Sequence, residues 1–150
     1  MQIRNKEGEL LFDGELHLNT ESLDLPEAVL EGQNLQGAHF DGANLQGANL
    51  RRADLYWAHF FLADLSGADL EGAQLQGSDL KRATLTDANL HNANLGRDNL
   101  GGSTSLQGAI LNCVGLKFAK LEGAEYDANT VFPQDFDPKK FGMIERPVKD

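Results

Sequence analysis

The chain is poor in several things that would have decided its class early. It has one cysteine, Cys113, so no intramolecular disulfide can form and a disulfide-built secreted scaffold is excluded. The opening MQIRNKEGEL holds no apolar core of signal-peptide length, and no apolar run approaches a membrane span. A soluble, cytoplasmic protein with no membrane partner is therefore the expectation. Basic residues are also scarce: 13 Lys and Arg face 23 Asp and Glu, for a net charge of −10. Phosphate contacts need Lys and Arg, so direct nucleic-acid binding is not expected. The acidity is uneven. Residues 1–32 hold eight acids and two bases, 33–95 seven and four, and 96–150 eight and seven. At 150 residues there is room for one domain and not for two of ordinary size.

What the chain does have is a period of five. Of the sixteen positions reached by stepping from Leu25 to Leu100, fourteen are Leu and the others are Phe40 and Phe60. Two residues earlier stands Ala in twelve cases, and between them Asn or Asp in eleven. Two residues later Gly recurs in eight, as in GANLQGANLRRADL. A helix would smear such Leu side chains around its surface, and a continuous strand would send alternate ones to opposite faces. Each pentad must carry its own change of direction. Leu and Ala then point to one axis, Gly eases the turn, and Asn or Asp bonds nearby backbone.

This A(N/D)LxG series resembles the pentapeptide-repeat family over roughly residues 23–132. The resemblance implies an all-β fold, a right-handed quadrilateral parallel β-helix with four pentads per coil. Phe40 and Phe60, twenty residues apart, would then stack in one column. Sixteen pentads make four coils, after which the register slips by one residue in LGRDNLGGSTSLQGA. Central positions continue as Leu106, Leu111, Leu116, Leu121 and Tyr126, with Thr104, Ala109, Val114, Ala119 and Ala124 inward beside them. The total is about five and a half coils, a rod of about 25 Å at the ordinary strand spacing.

Open coil ends need caps. Residues 1–22 predict a short hairpin, with Ile3, Leu10, Leu11 and Phe12 around a turn at Asn5–Gly8. Its acidity would disfavour end-to-end stacking. In 133–150, Asp137 and Pro138 read as an N-cap and first helical residue, with Gly142 as the stop, giving a short terminal helix. Phe132, Phe136, Phe141 and Met143 would plug the core.

Little in the chain breaks the repeat's own logic, so no catalytic residue, cofactor or resident metal is expected. The Asp residues fall on a repeat position, and the glycines recur for turn reasons and form no phosphate loop. Cys113, two residues after Leu111, is placed outward without a His or Asn partner. His39 and His59 fall in one outward column with Asp79, a donor set that zinc would accept but that a solvated ladder explains as well. Glu31, Arg51 and Glu71 form a column of alternating charge.

The outward aromatics are more informative. Where the repeat prefers Gln-Gly or Ser-Gly, the second coil has Tyr56-Trp57 and then Phe61-Leu62, with His59 between. Grouped exposed apolar residues mark partner surfaces, and Trp and Tyr are common anchors. These five are the candidate partner-binding residues, for a protein partner or for a second copy in a homodimer. The competing reading is that the N-terminal cap folds over them. The function expected is a non-enzymatic interaction module presenting a rigid solenoid. The alternative is a DNA mimic that occupies a type II topoisomerase such as gyrase, protecting or inhibiting it, as some members of the resembled family do. Against that stand the mildly acidic body, interrupted by Arg51, Arg52, Lys81 and Arg82, and the short rod.

Overall fold

A computed structural model describes residues 1–18 and 22–149. Its body is a parallel solenoid in which each pentad contributes one bridging residue, the Asn or Asp position of the repeat. Asp24 bridges Asn44, Asn34 bridges Asp54 and His39 bridges His59, all in parallel and all twenty residues apart. Four pentads therefore complete each coil. The ladder is regular: the amide of Leu45 donates to the Asp64 carbonyl at 2.8 Å, and the amide of Asp64 donates to the Ala43 carbonyl at 2.9 Å.

The corner between pentads is a four-residue turn. Ala48 N–H returns to the Leu45 carbonyl at 3.0 Å, with Gly47 at φ 66°. That left-handed backbone is why glycine recurs there. Seven turn positions carry other residues in the same region, among them Arg52, Trp57, Leu62 and Arg82. An L-residue held there costs about 1–2 kcal/mol, which the surrounding ladder must offset. Inside, the Leu and Ala columns are almost wholly buried, and Phe40 lies on Phe60 at 5.2 Å and 12°. The Glu31–Arg51–Glu71 column forms as expected, with Arg51 at 2.6 Å from Glu71 and 3.0 Å from Asp69.

The register slip is larger than the sequence suggests. Asp79 bridges Ser105 and Thr84 bridges Ile110, each twenty-six residues apart, so six residues are inserted and not one. Leu100 is no core residue; it stands 84% exposed. The cause is local. Asp98, where the repeat wants Ala, turns its carboxylate onto the amides of Leu100 at 2.8 Å and Gly102 at 2.6 Å, closing a loop of its own. Thr104 then ties the base of that loop, its hydroxyl donating to the Leu75 carbonyl at 2.9 Å. Fifteen pentads from Leu25 to Leu95 and five from Leu106 to Tyr126 make five coils rather than five and a half.

A second departure follows Leu111. Val114 bridges Asn89, twenty-five residues away, one residue ahead of the pattern, and is 53% exposed instead of inward. Cys113 consequently turns in against the core, correcting its outward placement. Burial pushes its thiol up to about 12. A single 3-10 turn at Leu116–Phe118 takes up the lost residue, and Leu116 returns to the core.

Both ends are closed. Strands β1 (Gln2–Arg4) and β2 (Leu10–Asp13) form an antiparallel hairpin that buries Ile3, while Leu10 faces out at 48% exposure. It docks on the first coil through Val29 N–H to the Arg4 carbonyl at 2.8 Å. At the far end the predicted helix is only a 3-10 turn, Pro138–Phe141, capped by Asp137 and stopped at Gly142. Four residues between cap and stop are too few to nucleate an α-helix. Phe136 stacks on Phe132 and Phe141 at 5.4 and 4.7 Å above the buried Met143. The chain then adds β4 (Ile144–Glu145) in parallel beside β3 (Glu125–Tyr126). No helix among the described residues is long and apolar enough to cross a membrane.

Candidate protein-interaction surface

All five residues singled out in the sequence lie on the second coil, around one of its four sides. Trp57 occupies a turn position at φ 55° and Leu62 the next, at φ 60°. Phe61 precedes Leu62 in the same turn, its amide donating to Asp41 Oδ1 at 2.9 Å. His59 sits at the bridging position between the two turns, paired with His39 above and Asp79 below. Trp57, Phe61 and Leu62 are 45%, 36% and 48% exposed. They share this side because the pentad sends every first and second residue after the core Leu outward.

The described residues of the N-terminal cap do not cover them. These bond to the first coil alone, with Lys6 against Glu27 and His17 Nδ1 at 3.0 Å from the Gly37 carbonyl. Trp57 is instead held from the opposite direction, by the six-residue insertion. Its indole N–H donates to Asp98 Oδ2 at 2.6 Å, and the ring lies across Gly77 one coil on, where an added Cβ would collide with it. The indole N–H first, and then the amides of Gly102 and Leu100, hold the Asp98 carboxyl below its ordinary value against partial desolvation. Tyr56 is half-buried; its hydroxyl accepts from Gln76 Nε2 at 2.7 Å, and its ring meets Trp57 edge-on at 6.0 Å. The two aromatics are thus braced by their own rod, presenting fixed rings with their polar atoms satisfied.

The rings of His39 and His59 lie 4.6 Å apart, tilted by 48°. The third member of that column is diverted, since Asp79 pairs with Lys81 at 3.3 Å and accepts its amide at 3.0 Å. Among the described residues no group of three His, Cys, Asp or Glu is placed to hold a metal.

The sequence reading missed a second apolar cluster. Ile110 and Val131 bridge one another in one outward column, and Val114 and Phe118 follow on the adjoining side, all between 38% and 55% exposed. Phe118 stacks on His91 at 5.2 Å. The available signal was Ile110 and Val131 at positions where the repeat prefers Asn or Asp.

Comparison with curated proteins finds no match. Among solved structures the chain is similar to HetL, a pentapeptide repeat protein involved in heterocyst differentiation regulation from the cyanobacterium Nostoc sp. strain PCC 7120. The identity is 32% over 83% of this chain and 56% of HetL, with a TM-score of 0.48. The chain therefore spans little more than half the length of HetL. It is 35% identical to a second Nostoc pentapeptide repeat protein, over 82% of this chain and 84% of that one, at a TM-score of 0.41. A pentapeptide repeat protein of the Arabidopsis thaliana thylakoid lumen is 36% identical over 75% of this chain and 69% of that one, at a TM-score of 0.48. The family model for pentapeptide repeats matches eight copies across residues 24–60 and 63–100, half of the chain. With the five-residue repeat, the twenty-residue coil and the buried Leu and Ala columns, this makes the chain a member of the pentapeptide-repeat family.

Proposed function

We propose that this protein is a non-enzymatic binding module whose second coil presents Tyr56, Trp57, His59, Phe61 and Leu62 to a protein partner. The observation that carries the reading is the placement of Trp57 and Leu62. Both stand at left-handed turn positions where glycine would be free of strain, and both leave nearly half of a large apolar side chain in water. Trp57 also ties the insertion through Asp98, but folding gains little from an exposed Leu62, and an interface would gain much from both. The Asp98 bond and the Tyr56–Gln76 bond keep the aromatics ordered before binding, which lowers the entropy lost on association.

The test is capture from a native lysate by the wild-type chain and by a Phe61→Glu/Leu62→Asn variant. Asn tolerates the left-handed region, so the turn survives the exchange. A protein retained by wild type and lost from the variant supports the reading, and one retained equally by both refutes it.

A further inference from the structure

A groove of about 660 Å³ runs along the rod from Phe61 to the segment that follows β4, whose Arg146–Lys149 form one wall. Four cations line it, Lys81, Arg82, Arg146 and Lys149, in a chain of net charge −10. Two carboxylates share the lining, and both are already engaged. Glu125 accepts from Arg146 at 2.8 Å, and that guanidinium holds its carboxyl below the ordinary glutamate value. Asp127 is taken up by the amides of Gly108 at 3.0 Å and Asn129 at 2.9 Å. Lys81 is paired with Asp79. Arg82 and Lys149 are left over: among the described residues neither makes an ion pair. The stem of Arg82 lies on the bare backbone of Gly108, where an added Cβ would stand 3.1 Å from its Cγ.

From this arrangement we infer that the groove receives an extended acidic peptide segment of the partner. One carboxylate meets the Arg82 fork and a second the Lys149 ammonium, while an apolar side chain rests on Phe61 at the upper end. From the level of Phe61 to that of Asp127 the groove crosses three coil spacings, about 14 Å, enough for roughly four extended residues. A phosphate backbone fits less well, because Glu125 and Asp127 would face its continuous charge, whereas spaced carboxylates need only the two unpaired cations. The inference rests on the binding-module reading, since Phe61 belongs to both surfaces.

The test is fluorescence anisotropy of a fluorescein-labelled octapeptide of glutamate and glycine with one central phenylalanine, titrated with the full chain. Arg82→Gly places the repeat's preferred residue in its turn, so the fold is kept. Arg52→Gly removes the same charge from the same turn position on another side. The expected result is saturable binding, weakened about tenfold by Arg82→Gly and by Lys149→Ala but less than twofold by Arg52→Gly. Equal loss from Arg52→Gly, no saturable binding by wild type, or stronger displacement by a single-stranded oligonucleotide than by unlabelled peptide would overturn the inference. A lysate partner lost from Phe61→Glu/Leu62→Asn but kept by Arg82→Gly would remove the groove and leave the binding-module reading standing.

Discussion

Leu70 tests the architecture most directly. It lies in the middle of the rod with no exposed surface, in a column with Leu50 and Leu90. Replacing it by Asp acts in two ways. Loss of the packed apolar group costs about 3–5 kcal/mol, the range for emptying a Leu site in a rigid core. The carboxylate then finds no cation, because its neighbours are Leu and Ala, and it must take up a proton to stay inside. Neutralising at pH 7 a group whose unfolded pKa is about 3.9 costs about 4 kcal/mol more. The sum, about 8 kcal/mol, rivals the whole stability of an ordinary domain. The second contribution depends on pH. The folded pKa of the introduced acid is raised, so its penalty is absent below about 3.9 and grows as the pH rises towards the folded value. Circular dichroism melts of Leu70→Asp and wild type, at pH 7 and pH 4, read both contributions. The variant should be unfolded at pH 7 and lie closer to wild type at pH 4. Melting at pH 7 within a few degrees of wild type would show that the Leu columns do not form the core.

The Trp57–Asp98 bond should be visible in the fluorescence of the chain's only tryptophan. Asp98→Ala should shift the emission to the red and open the Arg97 peptide bond to trypsin, and an unchanged spectrum with no new cleavage would mean that the loop is not held there. In wild type the Asp98 carboxyl sits below its ordinary value, so the bond persists above the usual aspartate range and is lost as the pH falls beneath it. A red shift beginning above pH 5 would contradict that assignment. Cys113, with its thiol near 12, should react with an aromatic disulfide at pH 8 at least roughly a hundredfold more slowly in the folded chain than in urea, and equal rates would return it to the surface.

The repeat itself determined the inward Leu and Ala, a corner in every pentad and the outward place of Trp57, Phe61 and Leu62. Those follow from period and side-chain size, which are local properties. The Phe40–Phe60 stack and the charged column through Arg51 needed in addition the four-pentad coil that the family resemblance supplied. The extent of the insertion was not legible, because Leu100 keeps the period of five and only the Asp98 carboxylate, caught between loop amides and the Trp57 indole, shows that the chain has left the wall. Cys113 and Val114 exchanged places for a similar reason: their spacing is set by which residue pairs with Asn89 in the coil before, a long-range bond that no neighbouring residue announces. The groove between Arg82 and Lys149 was equally hidden. Those residues stand 67 positions apart, and only the return of the chain through β4 beside β3 brings them to one face.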